Sequence, residues 1–68
     1  MNENLERIEK FRLRLSELSN KHPKQRQSIM ESSTIVYVNW NPNFNFSKHL
    51  QDEDIKREIQ SIFNEIFR

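Results

Sequence analysis

At 68 residues, read as one small domain (1–68), the chain falls below the ~70–80 residues at which a single core becomes self-sufficient. Its composition, 34% hydrophobic and 31% charged, excludes a plainly disordered chain and leaves little for a generous core. The net charge of +1 and pI of about 8.1 fall short of the strongly basic signature of nucleic-acid binders, and the lack of cysteine excludes disulfides and thiolate zinc sites.

The first predicted element is an amphipathic helix over about 3–20. Leu5, Ile8, Phe11, Leu15 and Leu18 recur at steps of three and four and share one face, while Leu13 lies off that stripe. Glu3→Arg7, Glu6→Lys10 and Glu17→Lys21 are i,i+4 pairs in the favourable orientation. Asn2 or Asn4 suits the N-cap, and Asn20 is placed to end the helix in a left-handed conformation, because the chain has no glycine.

Residues 20–28 form a polar, basic connector. Pro23 disfavours helical geometry at His22, yet it equally suits the first position of a short helix through Met30, so loop and helix both remain open for 23–30. The segment 33–40, Ser-Thr-Ile-Val-Tyr-Val-Asn-Trp, is dense in β-branched and aromatic residues and reads as a strand. Ile35 and Tyr37 point to one face; Val36, Val38 and Trp40 point to the other. Asn41-Pro42-Asn43 is a turn signal, and Phe44-Asn45-Phe46 follows as a candidate return strand, giving a hairpin from about 34–40 to 43–47. A final amphipathic helix is expected over about 52–67, with Ile55, Ile59, Ile62 and Ile66 on one stripe, widened by Phe63 and Phe67. Asp52, Glu53 and Asp54 fall in its first turn, where the helix dipole favours acids, and Glu53→Arg57 is a further i,i+4 pair. The fold class is therefore α+β: N-terminal amphipathic helix, central strand or β-hairpin, C-terminal amphipathic helix.

The strand carries the functional expectation. It is apolar on both faces, and a lone hairpin is marginal in water. It must be covered by its own helices, by the same strand of a second copy, or by the sheet edge of another protein. Self-association through the central strand and a protein partner are expected, with Tyr37, Trp40, Phe44 and Phe46 as the partner-binding aromatics. Tyr37 and one of the two phenylalanines also suit the core, while Trp40 is the best candidate for exposure. Trp and Tyr are over-represented among interface hot spots.

The alternative is a small nucleic-acid-binding regulator. Seven basic and four acidic side chains give residues 1–28 a charge of +3, against −2 for residues 29–68. Arg12, Arg14, Lys21, Lys24 and Arg26 would then contact phosphates. The same residues equally suit a helix end complementing its own dipole and facing Asp52-Glu53-Asp54. A third reading is an accessory subunit of a larger enzyme complex.

Catalysis by this chain is not expected. The serines are scattered, and the lack of glycine removes phosphate-binding loops and the glycine of a calcium loop. His22 and His49 lack metal-ligand spacing, so no metal or cofactor is expected; His49 is instead placed to face the acids at 52–54. No apolar run approaches the ~20 residues of a membrane span, and Met1–Asn4 does not read as a signal peptide. A cytoplasmic protein with no small-molecule substrate is expected.

Overall fold

The computed structural model describes the backbone of residues 3–68 and the side chains of residues 4–68. The elements are α1 (Glu3–Lys21), a 3-10 turn (Pro23–Gln25), α2 (Arg26–Glu31), β1 (Ile35–Val38), β2 (Asn41–Phe44) and α3 (Glu53–Phe67). This is a helix–hairpin–helix α+β arrangement.

The stripe of α1 buries Phe11, Leu15 and Leu18 and leaves Leu13 66% exposed. Leu5 departs from the expected stripe and is 53% exposed. Six residues at about 100° each carry it roughly 120° round the helix from Phe11, away from the core. Asn2, one of the two expected caps, lies outside the described residues, and Asn4 sits inside the helix rather than capping it. Asn20 does not end α1 either: among the described residues only Asn39 and Trp40 have positive φ. The helix runs to Lys21 and closes with the His22 N–H donating to the Ser19 carbonyl at 3.2 Å. His22, at φ −131°, ψ 70°, lies outside the helical region, which a following proline disfavours.

The choice left open at 23–30 resolves to helix. Pro23 opens the 3-10 turn, and α2 follows, burying Ile29 against the core with Met30 packed beside it. Ser32 and Ser33 end it, their N–H groups bonding the Ile29 and Met30 carbonyls at 3.0 and 3.1 Å.

The hairpin is shorter than expected, and its turn lies elsewhere. β1 and β2 pair antiparallel in the register Ile35↔Phe44, Val36↔Asn43, Tyr37↔Pro42, Val38↔Asn41. The turn is therefore Asn39-Trp40, and the expected turn Asn41-Pro42-Asn43 is strand. Register decides this. With a two-residue loop, Ile35 and Phe44 fall opposite each other on the inner face, so both reach the core. Pro42 is tolerated because it occupies a pair in which the N–H would point away from β1. Asn39 and Trp40, at φ 53° and 69°, give the loop its left-handed pair, the geometry of a type I′ turn.

α3 is capped by Asp52, whose Oδ1 accepts from the N–H groups of Asp54 (2.9 Å) and Ile55 (3.1 Å). It buries Ile55, Ile59, Ile62 and Phe63. The expected Glu53→Arg57 pair is replaced by two i,i+3 pairs, Lys56 with Glu53 at 3.4 Å and Arg57 with Asp54. Shorter reach favours the nearer acid at an exposed helix start. The core is bound together by rings: Phe11 lies 5.5 Å from Phe44, 5.8 Å from Phe63 and 6.2 Å from Phe67 between centroids. One aromatic cluster thus joins α1, the hairpin and α3.

Candidate interaction surface

The base of the hairpin is fastened to α2. Ser32, fully buried, donates from Oγ to the Ser28 carbonyl at 3.0 Å and accepts the Ser47 N–H at 2.9 Å. The Ser47 hydroxyl donates to Glu31 Oε1 at 2.6 Å, and the His49 N–H donates to Ser47 Oγ at 3.2 Å. His49 thus serves this clamp and not the acids at 52–54, because the turn closed by Leu50 N–H to Ser47 O (3.0 Å) holds it beside Ser47. The Ser47 hydrogen bond holds the Glu31 carboxyl below its ordinary value, with Gln27 and the charges of His49 and Lys48 assisting against a smaller desolvation effect.

From this anchored base the hairpin carries its tip into solvent. Alternation puts Ile35, Tyr37, Pro42 and Phe44 on the inner face and Val36, Val38, Asn41 and Asn43 on the outer face. The outer face is uncovered, with Val36 48% and Val38 54% exposed. At the tip Trp40 is 93% exposed. Two features meet there that folding alone does not require. A large aromatic ring stands in water, and a bulky residue holds a left-handed φ that Asn or Gly adopts with less strain.

The four aromatics expected to bind a partner are divided by the fold. Trp40 stands alone in solvent. Phe44 turns inward onto Phe11 and Phe63, with its ring 4.9 Å from Phe63. Phe46 packs edge-on against Phe44 at 5.0 Å, with the Lys56 ammonium 5.8 Å above its ring. Tyr37 is half-buried on the inner face, and its hydroxyl is buried without a hydrogen-bond partner among the described residues. Val36 and Val38 were not singled out from the sequence as site residues. A signal for them was present: the whole stretch 32–47 carries no charged side chain.

The basic residues are not gathered on one face. Arg14 turns toward α3 and pairs with Glu65 at 2.9 Å, and Lys21 borders a hollow that also contains Glu58. His22 Nε2 lies 3.9 Å from Glu58 Oε2. Arg12 lies on the opposite flank of α1, in the hollow lined by Met30 and Leu13. Lys24 and Arg26 are exposed in the 3-10 turn and at the start of α2. The acids faced by this basic segment are Glu58 and Glu65 rather than Asp52, Glu53 and Asp54, because α1 and α3 run antiparallel, with the end of α1 beside Glu58 and its earlier turns beside Glu65 and Ile66.

The surface hollows are each lined by residues of more than one element. Among the described residues no group of three His, Cys, Asp or Glu is arranged to hold a metal ion, and no helix is long and apolar enough to cross a membrane. No family model, curated protein or solved structure matches the chain.

Proposed function

We propose that this chain is a non-catalytic protein–protein interaction module that self-associates and docks on a protein partner through its central hairpin. The observation that carries the reading is Trp40: fully formed into the tip of a clamped hairpin, 93% exposed, and held at φ 69° beside two half-exposed valines. Tryptophan provides large, stiff contact area and is enriched among hot spots. A tip optimised only for folding uses Asn-Gly. The nucleic-acid reading draws less support, since Arg12 and Arg14 lie on opposite flanks and Arg14 already pairs with Glu65.

The test compares wild type with Trp40→Ala as immobilised baits. Truncating an exposed ring leaves the fold intact, so a loss of binding reports on the surface. A protein retained by wild type at moderate salt is expected to bind Trp40→Ala at least ~30-fold more weakly, the hot-spot threshold of ~2 kcal/mol. Equal retention by both baits, or binding that vanishes steeply with salt and requires nucleic acid, overturns the reading.

A further inference from the structure

The two edges of the hairpin are unequal. In a two-residue hairpin the pair flanking the loop exchanges both hydrogen bonds, so Val38↔Asn41 and Val36↔Asn43 bond to each other. The N–H and C=O groups of Ile35 and Tyr37 therefore point outward along the free edge of β1. They take no hydrogen bond among the described residues. The opposite edge is interrupted: Pro42 has no N–H to offer, and a hollow of about 420 Å³ lies between β2 and Gln60, Phe63 and Phe67 of α3.

Natural sheets guard a free edge with charge, proline or a bulge. β2 carries proline, whereas β1 carries none of these, and no charged side chain occurs anywhere in 32–47. Beside its edge lies a hollow of about 480 Å³ lined by Ile8, Arg12, Met30 and Ile35, with room for a side chain from an added strand. A second copy offers the matching chemistry. Its β1 is equally bare, uncharged and short, so two such edges meet without like-charge repulsion.

Resting on the self-associating reading above, we propose that two copies pair β1 against β1 about a twofold axis, forming a four-stranded antiparallel sheet that closes at the dimer. Only one register uses both outward residues of each strand. It sets Ile35 opposite Tyr37 of the second copy, Tyr37 opposite Ile35, and Val36 opposite Val36 on the outer face. The edges left after pairing are the two β2 strands, each interrupted by Pro42, which has no N–H to donate, so the assembly does not extend into a filament. Trp40, at the far tip, stays free for the partner.

Sedimentation over a range of concentrations tests this on the full chain, with circular dichroism confirming that each variant is folded. Val36 is half-exposed, so Val36→Lys and Val36→Glu preserve the hairpin. Wild type is expected to reach dimer and stop. Each single variant, with like charges directly opposed, is expected to raise the dimer dissociation constant at least tenfold. An equimolar mixture of the two is expected to restore dimer. A wild type that stays monomeric to its solubility limit, a Val36→Lys variant that dimerises normally, or wild-type growth beyond dimer each overturns the proposal. Trp40→Ala separates this from the broader reading. If it abolishes the dimer, the edge pairing fails but hairpin association stands. If it loses the partner while wild type is monomeric, only docking survives. If partner capture is unchanged and no dimer forms, both fail.

Discussion

Trp40 offers a measurement of strain that is independent of any partner. Replacing it with alanine removes the ring and keeps the Cβ that clashes at φ 69°; replacing it with glycine removes both. Since the ring is 93% exposed, its hidden remainder is under ~20 Å² of a ~250 Å² side chain. At ~25 cal/mol per Å² that surface is worth about 0.4 kcal/mol, so Trp40→Ala is expected to fall within about 0.5 kcal/mol of wild type. Glycine then gains the left-handed relief of ~1–2 kcal/mol. It loses ~0.5–1 kcal/mol to extra chain entropy. Trp40→Gly should therefore exceed Trp40→Ala by roughly 0.5–1 kcal/mol, a rise of about 2–8 °C in Tm for a domain of this size. Urea and thermal unfolding of dilute protein measure this directly. A loss of ~2 kcal/mol or more in Trp40→Ala would show the ring to be buried, and equal stabilities of the Ala and Gly variants would show that the residue is not left-handed. Either result refutes the reasoning.

Phe11→Ala should lose ~3–5 kcal/mol, because the buried ring contacts Phe44, Phe63 and Phe67 from three elements; near-UV circular dichroism and urea unfolding would show a collapsed transition. Ser32→Ala should lose ~1–3 kcal/mol by leaving the Ser47 N–H without its acceptor, and Asp52→Ala ~1 kcal/mol by uncapping α3; Leu13→Glu, on an open surface, should stay within ~0.5 kcal/mol in the same assay. Acid titration of stability tests the clamp. Because Glu31 is held below its ordinary value of 4.5, its contribution is complete above that value and is lost as pH falls through the lower folded one; Ser47→Ala should abolish that part of the acid dependence.

The long helices were legible because three- and four-residue spacing at Phe11, Leu15 and Leu18, and at Ile55, Ile59 and Ile62, has one physical outcome. The connector was not, because Pro23 serves a loop and a helix start equally well. The turn was misplaced because Asn41-Pro42-Asn43 has the stronger local signal, whereas its position is set by a distant demand: Phe44 must meet Phe11 and Phe63. The same long-range contact separates Phe44 and Phe46 from Trp40. An alternating aromatic pattern looks alike in a core and on an interface, and only the partners brought by α1 and α3 tell them apart. Alternation puts Val36, Val38 and Trp40 on one face; the two valines lie there, whereas the register turns Trp40 out of the strand into the loop. That nothing among the described residues covers the face of Val36 and Val38 follows from the packing of both helices against the other side.

The aromatic cluster also orders events during synthesis. Phe44 leaves the ribosome before Phe63 and Phe67, the rings against which it rests. At ~5–20 residues per second, the nascent ribbon waits about 1–4 s for its lid. Throughout that interval its inner face has α1 but not α3 to rest on and its bare margin can recruit a neighbouring polypeptide, so crowded polysomes are where premature pairing, or capture by a chaperone, would first occur.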